Sequence, residues 1–316
     1  MRKEKKSEIR VAQTTGVQAY HGRNFNNERY AFEGFTAGNY YYTSDRKIKL
    51  DEHFRRPDGK PMKGYGFEIE TECFSGMNRQ VLGEVYERII FNHFPEGLFK
   101  MQTDGSLNCD SAECITQVMT REAVRNCYPA FKAMFDTYFP TFGISATQSG
   151  NCGMHINISN ACFGATEATQ ETAIRKLHYI VNKHIGIISK ATGREHITQF
   201  CQQMRYDNIR TCAISDIPTG HGVCFNWAHY RTGRIELRIV GGQRNFSAFR
   251  NTCEVVFHLV DKVKDISWKD CDDIFKVFEG CNTYVLDSLS RLARTGVIDA
   301  TTYARVAGTA KRVEYL

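Results

Sequence analysis

Apolar and acidic residues alternate with period two along Tyr65-Gly66-Phe67-Glu68-Ile69-Glu70-Thr71-Glu72, which predicts a strand. On a strand, Glu68, Glu70 and Glu72 share one face while Phe67, Ile69 and Thr71 take the other. Similar patterns predict strands over 113–119, 152–159, 223–230 and 234–240, the last two joined by a hairpin turn at Thr232-Gly233. Elsewhere the period is helical. Val81, Leu82, Val85, Tyr86, Ile89 and Ile90 make one stripe of a helix over 79–94. A second helix is expected over 121–138, ending near Pro140, and a long one over 166–190 carries Ile174, Leu177, Ile180, Val181, His184, Ile185 and Ile188. The C-terminal part reads as largely helical, with Phe249, Cys253, Val256, Phe257 and Val260 on one stripe. Asp104-Gly105 marks a turn. Strands arrive both as a hairpin and across helical excursions, so the expected class is α+β with a mainly antiparallel sheet.

Residues 1–60 break this pattern. They are basic at the start, rich in Asn, Gly, Tyr and Arg, and poor in Leu, Ile and Val, with a Gly38-Asn39-Tyr40-Tyr41-Tyr42 cluster. We expect a partly extended N-terminal arm over 1–60, packed through its tyrosines or contacting a partner, and one main domain over 61–316. The 316 residues, 42% hydrophobic and 24% charged, are ample for a sizeable core. A net charge of +6 favours anionic ligands and leaves nucleic acid open without pointing to it. The 12 cysteines show no C-x-x-C pair and no zinc-like spacing. No apolar h-region follows the charged N-terminus and no apolar run approaches the ~20 residues of a membrane span. The expectation is a reduced, cytoplasmic protein with no membrane partner.

The polar faces of the predicted strands carry the candidate chemistry. His155, Asn157 and Ser159 oppose Met154, Ile156 and Ile158; Arg234, Glu236 and Arg238 oppose Ile235, Leu237 and Ile239; Glu113 heads a weaker version with Ile115 and Gln117. A half-solvated sheet also has one polar face. Singly, each residue has a plain structural role open to it. His155 could be a satisfied core histidine, Glu236 and Arg238 a cross-strand ion pair, Asp104 a turn residue. Jointly they are the types that bind metals and phosphates, rather than the Thr, Lys, Ser and Tyr of a merely wet face.

Those residues also carry a resemblance. Gly66-Phe67-Glu68-Ile69-Glu70, Asp104-Gly105-Ser106-Leu107 followed by Glu113, Gly153-Met154-His155-Ile156-Asn157, Asn226, and Ile235-Glu236-Leu237-Arg238 look like the ordered motifs of the amidoligases, relatives of glutamine synthetase and the glutamate–cysteine ligases. The resemblance spans about residues 64–245. It implies a concave, glutamine-synthetase-like funnel with helices on the other sheet face, and ATP- and Mg2+-dependent amide-bond formation. Glu68, Glu70, Glu113 and Glu236 would be metal ligands. His155 would sit by a metal or phosphate oxygen, and Arg238 would hold a phosphate or the substrate carboxylate. Asn226 and Asn157 would contact nucleotide or substrate. Members of the family often show a second histidine where this chain has Asn157, which can donate and accept hydrogen bonds but carries no proton. Asp104 or Glu72 is open as proton acceptor from the amine.

The function expected on this basis is an ATP-dependent carboxylate–amine ligase working through an acyl phosphate, on small-molecule or peptide acids and amines. Two alternatives stay open: a catalytically silent relative binding a nucleotide or peptide, and a metal-dependent hydrolase.

Overall fold

The computed structural model describes residues 63–77, 79–94, 98–102, 111–147 and 152–313. The expected arm over 1–60 and the Asp104-Gly105 turn lie outside them. The described residues form an α+β structure around one open antiparallel sheet. Strand β1 (Tyr65–Cys73) is central. On one side of it lie β3 (Ser111–Thr116) and then β2 (Phe99–Gln102); on the other lie β5 (Met154–Ser159), β7 (Arg234–Leu237) and β6 (Phe225–Asn226). The two-residue β4 (Ile144–Ser145) pairs with the far end of β1.

Register decides what the faces hold. Residues directly opposed in an antiparallel pair point to the same side. Glu68 lies opposite His155 and Glu70 opposite Glu113. Asn157 lies opposite Glu236, which in turn lies opposite Asn226. A slip of one residue in any pair would send these side chains to the other face, where Phe67, Ile69, Met154, Ile156, Ile158, Ile235 and Leu237 are all buried.

Helices cover that apolar face. The helices are α1 (Arg79–Val85), α2 (Arg121–Asn126), α3 (Tyr128–Ala133), α4 (Phe139–Phe142), α5 (Glu167–Lys183), α6 (Ile185–Ala191), α7 (Phe246–Asp265), α8 (Ile274–Phe278), α9 (Thr283–Arg294) and α10 (Ala300–Ala307). Phe67 meets Phe131 of α3 edge-on at 6.5 Å and Phe249 of α7 at 5.7 Å, and Tyr65 meets Phe257 at 4.6 Å. The expected stripe Phe249, Cys253, Val256, Phe257 and Val260 is wholly buried. Described cysteines are free thiols, buried except for the half-buried Cys212. No helix among the described residues is long and apolar enough to cross a membrane.

Several elements depart from the sequence pattern for local reasons. The helix over 79–94 widens after Val85 into a π-type turn, Tyr86–Ile90, where the Tyr86 hydroxyl is drawn to Thr71 Oγ1 at 2.8 Å. The helix expected to stop near Pro140 runs on to Phe142, because Pro140 sits in the first turn of α4 and gives up no needed N–H. Gly143, at φ +66°, ends it. The helix over 166–190 breaks at His184, whose Nε2 meets the Cys271 carbonyl at 2.9 Å. The strand over 223–230 shrinks to β6, since Asn226 Oδ1 takes the Ala228 amide at 3.0 Å and turns the chain out of the sheet. The strand over 234–240 ends its regular pairing at Leu237. Arg238 and Ile239 both donate to the one Cys224 carbonyl, at 3.0 Å each, which is a β-bulge.

Candidate functional site

The bulge and the register set the site together. Beyond β7 the offset of pairing with β5 changes by one residue, so that Gly153 pairs with Gly241. The segment after α6 then crosses the polar face over these two glycines. A Cβ on Gly241 would lie 2.4 Å from the Gly193 carbonyl oxygen, and one on Gly153 would lie 2.8 Å from Arg194 Nη2. Neither position tolerates a side chain without displacement. Gly193 itself is at φ +87°. The crossing forms a wall at one end of the face.

On the rest of the face, carboxylates converge on one histidine. His155 Nδ1 lies 3.1 Å from Glu68 Oε2 and 3.6 Å from Glu236 Oε1, and its Nε2 lies 3.7 Å from Glu70 Oε1. Ligand atoms of Glu68, His155 and Glu236 all fall within 4.8 Å of one another, as do those of Glu70, Glu113 and His155. An imidazole has a single lone pair when neutral, so the two triads compete for the histidine. A second cation would rest on carboxylate oxygens alone.

Donors surround the cluster. Asn157 Nδ2 donates to Glu68 Oε1 at 2.8 Å, and Arg234 Nη1 donates to Asn157 Oδ1. Arg238 Nη1 donates to Glu236 Oε1 at 2.6 Å, and Asn226 Nδ2 donates to Glu236 Oε2 at 2.8 Å. The Gly153 amide donates to Glu70 Oε2. Glu70, Glu113, Glu236, His155 and Arg238 are each 5–7% exposed. At that depth, repulsion among the carboxylates is only weakly screened.

The electrostatics follow. Burial alone would raise the Glu68 carboxyl, but the hydrogen bond and charge of His155, the Asn157 amide and the Arg234 charge outweigh it and hold the pKa near 2. Burial alone would lower His155. The bond to Glu68 and the charges of Glu70 and Glu236 prevail over that and over the Arg238 guanidinium, so His155 is raised to about 9. The imidazolium thus fills a cation's place among the acids. A divalent cation liganded by this ring would have to displace the proton.

One group is left over. Arg238 Nε is buried without a hydrogen-bond partner among the described residues. A buried, charged donor without an acceptor is costly, and an anion on that edge of the guanidinium would satisfy it.

Glu68, Glu70, Glu113, His155, Asn157, Asn226, Glu236 and Arg238 are therefore brought to one face. Asp104 lies outside the described residues. Glu72 is buried further along the same face, opposite Ser111 and Ser145. The Asn226 amide is turned inward: its nitrogen holds Glu236 and its oxygen accepts the Gly220 and Ala228 amides at 3.2 and 3.0 Å. Arg234 had no role assigned from sequence, though the alternation Arg234-Ile235-Glu236-Leu237-Arg238 already aligned it with Glu236. Arg194 was missed, since it lies in irregular chain with no periodic signal. The sequence matches no family model. No curated protein matches it either.

Proposed function

We propose that this chain is an ATP- and Mg2+-dependent carboxylate–amine ligase, with the polar sheet face as the floor of a glutamine-synthetase-like funnel. The observation that carries the reading is the orphaned Nε of Arg238 beside carboxylates gathered on His155. Acidic oxygens call for a hard cation and the guanidinium edge calls for an anion; a metal-bound phosphate provides both. The donor set fits magnesium: oxygen ligands predominate, with no thiolate in either triad. Glu68, Glu70, Glu113, Glu236 and His155 would hold it, and when bound it neutralises charge on the transferring phosphoryl group.

The remaining work falls to the chain's own groups. An amide formed in water needs an activated acid, here an acyl phosphate made from ATP with ADP released. The amine then attacks the acyl carbon and phosphate leaves. Arg238 presents a planar fork to the transferring oxygens, and its position is fixed by Glu236 on one side and the bulge backbone on the other. Asn157 and Arg234 hold Glu68, and Asn226 holds Glu236, so the carboxylates are preorganised rather than mobile. Apolar strands and helices beneath the face keep its dielectric low.

A second reading has an observation of its own. Both Glu68 oxygens and both Glu236 oxygens already accept protein donors, as suits a binding module that never loads a metal. The test is ADP release from ATP and Mg2+ with pooled amino acids, polyamines and peptides, alongside Arg238→Lys. The ligase reading expects substrate-dependent ADP release that Arg238→Lys abolishes while its melting curve stays cooperative. Release unaffected by that change would refute the assignment. Nucleotide binding without Mg2+ dependence or turnover would favour the silent module.

A further inference from the structure

Arg194 belongs to none of the sequence motifs of the site, yet its guanidinium reaches it. It is 7% exposed. Nε donates to the Ile239 carbonyl at 3.2 Å and Nη2 to the Val240 carbonyl at 2.9 Å. Both acceptors are backbone groups, and Arg194 makes no ion pair with a described carboxylate. A buried guanidinium spent on two carbonyls retains its full charge. What lies nearest on the polar face is decided by Gly153. The point where a Cβ of residue 153 would sit is 2.8 Å from Arg194 Nη2, 3.3 Å from Glu70 Oε2 and 3.6 Å from the Val240 oxygen. Gly153 pairs with Glu70 through backbone as well, accepting the Glu70 amide at 3.1 Å, and its own amide binds Glu70 Oε2. The space left by the missing side chain is thus shared by a cation and the Glu70 carboxylate, without direct contact between them.

We propose that Arg194 is a positioning residue of this site: a fixed positive charge set across Gly153 from Glu70, which keeps the cluster's affinity for a divalent cation low until an anionic co-ligand arrives. The inference rests on the reading of the face as a cation site. Opposed to four clustered carboxylates alone, a divalent ion would be held tightly and exchange slowly. A buried positive charge beside Glu70 subtracts from that field at short range, where solvent screens little. The two carbonyls locate the charge, and the same bonds fix the strand exit that carries Arg238. A nucleotide phosphate would restore the balance by adding negative charge on the open side.

The experiment measures Mn2+ binding to the full chain by calorimetry, without nucleotide, for wild type, Arg194→Gln, Arg194→Lys and Glu70→Gln, with thermal melts as the check on folding. Gln keeps amide donors for the carbonyls and loses the charge; Lys keeps the charge. Arg194→Gln is expected to bind Mn2+ at least fivefold more tightly than wild type, Arg194→Lys to return within twofold of it, and Glu70→Gln to lose binding. A purely structural arginine would predict the reverse for Arg194→Gln, weaker binding through a loosened Glu70. Affinity unchanged or weakened in a folded Arg194→Gln overturns the inference while leaving the cation site standing. Absence of Mn2+ binding in wild type and in a folded Arg194→Gln alike would remove both. Should Arg194→Gln fail to fold, Gly153→Ala is read instead. Its methyl would sit 2.8 Å from Arg194 Nη2 and 3.3 Å from Glu70 Oε2, so the guanidinium must yield more than the carboxylate. Tightening is expected again and an unchanged affinity overturns the inference.

Discussion

Two buried acidic settings in this molecule differ in how their charge is met. In α7, Glu254 is 1% exposed, and its carboxylate receives Arg125 Nε at 2.9 Å and Nη2 at 2.8 Å, the Tyr128 hydroxyl at 3.0 Å and Asn282 Nδ2 at 2.8 Å. One carboxylate, one bidentate arginine and two neutral donors close the account. On the polar sheet face, four carboxylates of the two triads share one histidine, and an arginine donor has no partner among the described residues. The first arrangement is complete as it stands and ties α2, α3, α7 and α9 together. The second is frustrated without a ligand, and frustration of that kind marks functional sites more often than structural ones.

The largest expected effect breaks the two apart. Glu70→Gln keeps shape and hydrogen bonding but removes a charge from the crowded face. Its melting temperature should hold or rise as repulsion is relieved, while substrate-dependent ADP release falls roughly 10²–10³-fold through lost electrostatic stabilisation. Arg125→Met should do the opposite. It leaves Glu254 buried with two neutral donors and no counter-charge, a loss of about 3 kcal/mol, the lower end for a broken buried pair because Arg125 is 23% exposed. Activity per folded molecule should be kept. Urea unfolding and initial rates on both proteins decide this. A Glu70→Gln protein destabilised as much as Arg125→Met would make the sheet face structural.

The acid side of this contrast was legible from alternation alone, and the structural side was not. Glu68, Glu70, His155 and Glu236 announce themselves because strand period two sorts them from Ile69, Ile156 and Leu237. Glu254 stands beside Cys253 and Val256 in an otherwise apolar stripe, and its partner Arg125 is 129 positions away. No local pattern links them. The same limit hid Arg194, whose partners are backbone carbonyls, and the bulge at Arg238, which is set by one Cys224 oxygen accepting twice. Helix existence was readable from stripes. The break at His184 and the passage through Pro140 were not, because tertiary bonds and first-turn placement overrode propensity.

Histidines sharpen the contrast with a smaller, pH-dependent effect. Burial pushes His178 down to about 4, against the pull of the Arg205 carbonyl, and it stays neutral with Trp227 Nε1 donating to its Nδ1 at 3.0 Å. In the unfolded chain it protonates near 6.5. Between those values the unfolded state binds more protons, so stability falls as pH drops from about 6.5 towards 4, by up to about 3 kcal/mol. His155 runs the other way. Its pKa is raised to about 9, so its contribution is full below about 6.5 and is lost as pH rises through 9. Glu68, held low, contributes above its unfolded value near 4.5 and loses that only as pH falls towards 2. Urea midpoints against pH should show an acid limb flattened by His178→Asn and an alkaline limb flattened by His155→Asn. The alkaline test is read between about pH 6.5 and 8.5, below the range where the buried thiols, pushed up by burial, begin to cost stability. A fall in that window that survives His155→Asn would mean that the site pair does not exist in solution.

The smallest effect concerns Asn157, where the resemblance favours histidine. Here the side chain donates to Glu68 and accepts from Arg234 at once. A neutral imidazole can also do both, with one nitrogen protonated and one bare, though its atoms lie farther apart than those of an amide. Asn157→His should therefore fold and retain activity within about tenfold at pH 8, and lose more below pH 6.5, where an imidazolium would face Arg234 with no lone pair to offer. Asn157→Asp, similar in size to asparagine, should be worse at every pH above 5. It keeps the bond from Arg234 but turns a donor to Glu68 into a second negative charge beside it. Placing these two variants on the stability and activity scales of Glu70→Gln and Arg125→Met tells which setting Asn157 belongs to. If Asn157→Asp loses stability but not turnover, it belongs with Glu254 as a structural tie. Lost turnover with an unchanged melting temperature puts it with the sheet-face cluster, holding Glu68 in place for chemistry.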